Sequence, residues 1–209
     1  MKQLRNWVVY DLETGGLKHT ESPIIEIFMV MVDCETLELK DSFHTFVLPY
    51  ANLVIKPDAL MANGIALETV MNCNVTSKDA VDGVIKFLKR CNSKSKKPIL
   101  VGHNIKKFDN KFLEFIFNHN KKDLYDCVET HCEDTIWFSR IRDAHNDVDG
   151  HALGAVCQRM NIELIDAHRA EADTRATAAL WVNYVKLLRA QGSASEVAET
   201  VKSRVKFRF

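Results

Sequence analysis

The chain reads as an α/β protein, a mixed sheet flanked by helices, on three observations. Three strand-like runs with short connections come first, at residues 7–10, 24–32 and 43–48, a spacing that suits antiparallel neighbours. Helical and short apolar patterns then alternate, as they do when helices pack on a sheet. With 209 residues, 46% of them hydrophobic, the chain can bury a sizeable core as one domain.

Each element follows from its residues. Trp7-Val-Val-Tyr10 and the longer run from Ile24 to Val32 are β-rich, and the third run is bounded by Pro49. A proline near its start marks a short helix over 57–64, and Val81, Val84, Ile85 and Leu88 give helical periodicity over 77–90. Ile99-Leu-Val101 is a further short strand. Phe108, Phe112, Phe115 and Ile116 sit at core spacing in a helix over 107–117, and two more helices are expected at 151–160 and 170–190.

Gly192 interrupts this pattern, so residues 1–190 form the expected domain and 191–209 a tail. In the tail, Ser193-x-x-Glu196 is a capping-box signature for a short helix with Val197, Val201 and Val205 on one face. Alternation of Lys202, Arg204, Lys206 and Arg208 with Ser203, Val205, Phe207 and Phe209 fits a strand or a loose tail equally well. Both readings stay open.

Composition excludes some functions. With 28 basic and 28 acidic residues the chain does not hold polyanions by bulk charge, so any nucleic-acid contact rests on local clusters such as Lys94/Lys96/Lys97, Lys106/Lys107/Lys111, Lys121/Lys122 and the basic tail. The longest uncharged apolar stretch, 27–32, is far short of the ~20 residues that cross a bilayer, and the N-terminus has no room for a signal-peptide core. Six scattered cysteines without Cys-x-x-Cys spacing point to free thiols in a reducing compartment. Cys127, His131, Cys132 and His145 lack the tight pairing of a zinc site. A soluble cytoplasmic protein is expected, with no membrane partner.

The chemistry concentrates in acids. Asp11-Leu-Glu13 stands where the first apolar run stops, with Asp11 and Glu13 on one strand face roughly 6.6 Å apart along the backbone. Two like charges at the edge of a core call for a cation, and a divalent metal is the natural one. Asp109 falls in the first turns of the helix after Gly102-His-Asn104, where an acid also favours the helix dipole. Asp173 shares a face with Ala176 and Leu180, a core-facing stripe on which a carboxylate is costly unless paired. His168 stands five residues upstream in a loop, and histidine is the side chain best suited to take a proton near neutral pH.

Taken together, three segments resemble the DEDDh branch of the DnaQ-like exonuclease superfamily, the group that includes the proofreading epsilon subunit and RNase T. They are Tyr10-Asp-Leu-Glu-Thr-Gly-Gly-Leu17, Leu100-Val-Gly-His-Asn-Ile-Lys-Lys-Phe-Asp-Asn-Lys-Phe-Leu113 and Ala167-His-Arg-Ala-Glu-Ala-Asp-Thr-Arg-Ala-Thr-Ala-Ala-Leu180, the last with His-x₄-Asp spacing. Weaker echoes are Asn63-Gly-Ile65, Asp134-Thr-Ile136 with Ser139-Arg140, and Leu153 to Arg159. Gly16 and Glu171 depart from residues common in the group, and neither is one of the four acids.

The resemblance implies an RNase H-like fold with a five-stranded mixed sheet and two Mg²⁺ or Mn²⁺ ions. Asp11 would bridge both, Glu13 and Asp173 would complete one site, Asp109 would support the other through water, and His168 would take a proton from the attacking water. Thr14 would position the terminal nucleotide, and Leu17, His103, Asn104 and Phe108 would contact its base or sugar. The implied activity is 3′→5′ hydrolysis of single-stranded nucleic acid, DNA slightly favoured, to nucleoside 5′-monophosphates. Alternatives are an exoribonuclease or oligonucleotide-trimming enzyme, and a non-catalytic module binding nucleic acid or a polymerase. The tail is a possible contact for a replication or repair protein.

Charge neutrality yields a prediction of its own. Because few phosphates would be neutralised by Lys or Arg, oligonucleotide affinity should fall only mildly with salt, and a steep slope of log affinity against log salt would contradict it.

Overall fold

Side chains alternate along β1 (Trp7–Thr14), and the two faces it creates organise the molecule, which the computed structural model describes for residues 4–165 and 167–190. Val8, Tyr10 and Leu12 join the larger core with α3 (Ser77–Arg90) and α4 (Asp109–His119). Val9 points the other way, into a second core with α7 (Ala170–Ala190). Asp11 and Glu13 lie on this α7 side. Their carboxylates therefore face a helix.

The sheet has five strands in the order β3-β2-β1-β4-β5, with β2 at Ile24–Val32, β3 at Leu39–Phe46, β4 at Ile99–Gly102 and β5 at Cys132–Asp134. β2 runs antiparallel to β1 and β3, while β4 is parallel to β1 and β5 to β4. Pairing with β2 supports β1 along its whole length, from Trp7 opposite Val32 to Glu13 opposite Glu26 and on to Thr14. Pairing with β4 stops at Val9 opposite Val101. Past that point β1 is bare on one side, which opens the sheet beside the acids.

Helices α1 (Pro57–Asn63), α2 (Leu67–Met71), α5 (Thr135–Arg142) and α6 (Leu153–Arg159) complete the described fold. Pro57 starts α1 and Gly64, at φ +62°, ends it in the left-handed conformation that suits glycine. Thr76 and Asp79 form a reciprocal capping box on α3. Helix α7 approaches closely because its sheet side carries Ala170, Thr174 and Ala178, and the Thr174 hydroxyl donates to the Phe28 carbonyl at 3.3 Å. Trp181 then packs edge-on against Trp7 and Phe138, with ring centroids 5.4 Å apart in each pair. No described helix is long and apolar enough to cross a membrane.

Most elements match expectation, and the differences have physical causes. β1 runs past the apolar stretch at 7–10 through Asp11 and Glu13, as their place on one strand face implied, and ends at Thr14, because the acids stay paired to β2. β3 starts at Leu39, four residues before the expected strand. Its first half, Leu39-Lys-Asp-Ser42, belongs to an edge strand and needs no apolar alternation. α2, β5 and α5 had no clear periodic signal. β5 is three residues long and α2 five, too short for a pattern to emerge. The two tail readings lie outside the described residues.

Gly102 closes the end of β4 tightly. A Cβ there would lie 2.1 Å from the fully buried Ile105 side chain and 3.0 Å from the Tyr10 carbonyl oxygen. Gly102→Ala should therefore destabilise the fold by about 1–3 kcal/mol, read as a lower urea midpoint with an unchanged slope; an unchanged midpoint would show that the loop yields freely.

Candidate active site

Three elements converge where β1 outruns β4. β1 brings Asp11 and Glu13, α4 begins at Asp109, and the first turn of α7 carries Asp173. Asp11, Glu13 and Asp173, all half-buried, each offer a ligand atom within 4.8 Å of the others, the group among the described residues placed to hold a metal ion. Asp109 stands apart from this trio. Buried at 3% exposure, its carboxylate accepts the backbone N–H of Leu12 and its own.

Asp109 is placed by the loop before it. Asp134, buried at the end of β5, accepts the N–H groups of Asn104 at 2.7 Å and Lys106 at 3.3 Å, and caps α5 through Ile136. The Tyr10 hydroxyl donates to Asn110 Oδ1 at 2.5 Å, tying α4 to the strand that carries Asp11. The acids on β1 and α4 are thus held by hydrogen bonds between their own neighbours.

The electrostatics are those of buried acids crowded together. Burial raises the Asp11 carboxyl well above its usual range, and the charges of Asp109, Glu13 and Asp173 add to it. Glu13 is pushed up to about 8, chiefly by burial and against a hydrogen bond from Asn63. Asp109 rises to about 7, and Asp173 is also raised, both mainly by burial. One oxygen of Asp173, Oδ1, is buried without a hydrogen-bond partner, while Oδ2 accepts the His168 N–H at 3.2 Å. An orphaned carboxylate oxygen beside two further carboxylates suits a divalent cation with hard oxygen ligands.

A cleft of about 180 Å³ opens beside the trio, lined by Leu12, Glu13, Thr14, Gly16, Leu17, Ala59, Ala62, Asn63, Phe108 and His168. Besides Glu13, four expected residues are therefore here: Thr14, Leu17, Phe108 and His168. His103 and Asn104 are not. Both ring nitrogens of His103 are engaged, with Thr135 Oγ1 and the His151 carbonyl at 2.8 Å each, and Asn104 is a left-handed turn residue at φ +67° tied to Asp134. They shape the loop that delivers Asp109.

Two residues were overlooked. Asn63, buried at the end of α1, donates to the Thr14 carbonyl at 3.3 Å and to the Glu13 carboxylate; its Asn-Gly-Ile context was its signal. Glu26, opposite Glu13 and 0% exposed, was visible as a lone charge inside a nine-residue apolar strand. It accepts from Arg169 and His44.

The RNase T model, described as exonuclease, matches residues 8–181, a span that includes Asp11, Glu13, Asp109, His168 and Asp173. The chain belongs to the RNase T exonuclease family. Its relatives include a PolC-type DNA polymerase III of Caldanaerobacter subterraneus, 29% identical over 95% of this chain and 13% of the polymerase. Ribonuclease T of Buchnera aphidicola is 30% identical over 51% of this chain and 50% of its own length. Escherichia coli exonuclease I, solved with a dT13 oligonucleotide, superimposes with a TM-score of 0.75 at 17% identity, covering 95% of this chain and 43% of that one. The chain thus spans only a fraction of the polymerase and less than half of exonuclease I. The shared architecture is the RNase H-like fold, and the DnaQ-like resemblance of the sequence is borne out.

The raised carboxyls fix a sign. Folded-state values of about 8 for Glu13 and about 7 for Asp109, against 4.5 and 3.8 in an ordinary setting, mean that the metal-free fold binds more protons than the unfolded chain between these limits. The stability they contribute is fully present below the lower values and is lost as pH rises through the upper ones. In EDTA the melting midpoint should fall between about pH 5 and about pH 8, and Mg²⁺ or Mn²⁺ should raise it more at the higher pH. Asp11→Asn should flatten the decline; a midpoint in EDTA that rises across this range would contradict the account.

Proposed function

We propose that the chain is a metal-dependent 3′→5′ exonuclease acting on single-stranded nucleic acid, DNA favoured over RNA, and releasing nucleoside 5′-monophosphates. The observation that carries this reading is the trio of Asp11, Glu13 and Asp173, with its orphaned Asp173 oxygen, at the edge of a cleft that His168 also lines. Two Mg²⁺ or Mn²⁺ ions, held by Asp11, Glu13 and Asp173 and supported by Asp109, would offset charge at the scissile phosphate and lower the pKa of the attacking water.

The chain's own residues divide the remaining work. His168 is exposed at the rim and takes the proton from that water. Leu17 and Phe108 offer apolar walls to the terminal base, and the backbone of Thr14 positions the terminal sugar, since the Thr14 hydroxyl already donates to the Gly16 carbonyl at 2.7 Å. Asn63 orients Glu13. A neighbouring cleft of about 240 Å³ shares Leu17 and Phe108 and adds Lys18, Lys107 and Lys111. Lys18 pairs with Glu21, whereas Lys107 and Lys111 have no ion-pair partner among the described residues, which suits them to the phosphates that precede the terminus.

An exoribonuclease is the second reading, favoured by the ribonuclease T relative. The PolC-type relatives favour a replication setting instead, in which residues 191–209 would recruit a partner protein. A cytoplasmic location accords with six free cysteines.

End-labelled DNA and RNA oligonucleotides with Mg²⁺, Mn²⁺ or EDTA test the reading. The 5′-labelled strand should shorten in a ladder that EDTA abolishes, Asp11→Ala should remove activity, and His168→Ala should lower kcat by about 10²–10⁴-fold. Equal cleavage of a circular single strand would overturn the exonuclease, and activity surviving in Asp11→Ala would overturn the site. Faster shortening of RNA than of DNA would select the second reading.

A further inference from the structure

Glu26 is a buried acid that the chemistry above leaves unused. It lies on β2 opposite Glu13, its side chain fully buried on the α7 face, yet it is not one of the three carboxylates that come within metal-holding distance. Its oxygens are already engaged. Oε1 accepts from Arg169 Nη2 at 3.0 Å and pairs with His44 Nε2 at 2.8 Å, and Oε2 lies 3.3 Å from Arg169 Nε. A two-point guanidinium–carboxylate pair fixes direction as well as distance, which a lysine ammonium does not. The Arg169 guanidinium also lies over the Phe46 ring, 6.0 Å from its centroid.

Arg169 directly follows His168, whose backbone is itself unusual. His168 sits at φ +68°, a left-handed conformation that a non-glycine residue keeps only when its surroundings enforce it. Two anchors enforce it here. The His168 N–H is held by Asp173 Oδ2 at 3.2 Å, and the next residue is clamped to Glu26 across the sheet. One anchor ends on a proposed metal ligand and the other on a carboxylate that takes no part in the trio.

We propose that Arg169, seated on Glu26 and supported by His44, is a positioning residue that locks the His168 loop so that the imidazole stands over the carboxylate trio. The proposal rests on the reading of His168 as the base, and Arg169 acts through His168 rather than on the substrate. The same pair sets a positive charge against Glu26, a fifth carboxylate that stands opposite Glu13. Arg169 also lines a wider cleft of about 630 Å³ with Met61, Asn63 and Glu171, so direct substrate contact is the competing role, and the two differ in what they do to kcat and KM.

The test combines kinetics with a readout that needs no activity. Arg169→Ala should lower kcat on a 5′-labelled oligonucleotide at least about tenfold while leaving KM within about twofold, the signature of a group that supports the transition state without binding the ground state. Added guanidinium should restore part of the loss in Arg169→Ala and none in His168→Ala. Because Arg169 works through His168, the double variant Arg169→Ala/His168→Ala should be no slower than His168→Ala alone. Glu26→Gln, close to an isostere, should show the same kcat loss and the same non-additivity, which covers the case in which Arg169→Ala does not fold. Hydrogen exchange of the His168 amide should accelerate in both single variants. Additive losses, a KM effect without a kcat effect, or unchanged exchange at His168 would each overturn the latch. A His168→Ala variant as fast as wild type would instead overturn the assignment of the base, and the exchange readout would still decide whether the latch exists.

Discussion

Repulsion among four carboxylates is the constraint on which the rest of this structure depends. At an effective dielectric of about 20, two ionised groups ~5 Å apart oppose each other by on the order of 3 kcal/mol. A domain of this size has ~5–15 kcal/mol of net stability. Asp11, Glu13 and Asp173 alone make three such pairs, and Asp109 adds to them. Burial raises all four carboxyls above the usual carboxylate range, repulsion adds to it at Asp11 and Glu13, and a divalent cation would let these acids ionise together.

The scaffold meets that repulsion with connections made elsewhere. Asp11 and Glu13 cannot retreat because β2 pairs with β1 along its length, and Asp173 cannot because the small residues and Thr174 of α7 seat that helix on β2. Asp109 is held from behind by the Leu12 N–H, while Asp134 and Tyr10 fix the loop and helix that carry it. The early end of β4 leaves the acids open on one side. Rigid backing and an open front are what a site needs if its geometry is to be set before a substrate arrives.

Different physical signals were legible to different degrees in the chain itself. Helices 77–90 and 170–190 coincide with α3 and α7 because each is long, periodic and bounded by clear signals. β2 was equally plain, since a strand buried on both faces reads as a continuous apolar run. β3 was read only in its second half because an edge strand leaves its polar residues in water, and β5 escaped notice because three residues carry no period. At the site, the Asp-x-Glu spacing placed two acids on one face, and Thr14, Leu17 and Phe108 do line the cleft. His103 and Asn104 lie outside that cleft, engaged with Thr135, His151 and Asp134, because their motif neighbours say nothing about which hydrogen bonds the loop will make.

What the chain determined by itself was the chemistry on offer: four acids and a histidine at spacings that strands and helices translate into direction, and enough apolar periodicity to specify a mixed sheet with helices on it. Such information is local, carried within a few residues by the periods of 2 and 3.6. Tertiary structure alone decided which acids come together as a trio and which stands behind, that Asp173 keeps an oxygen unpaired, and that Glu26 belongs to Arg169 rather than to the site. Those outcomes depend on where β4 stops, how closely α7 approaches and which groups meet across 143 residues of chain, as Glu26 and Arg169 do. Distances of that kind are fixed by packing and long-range pairing, on which short sequence periods are silent.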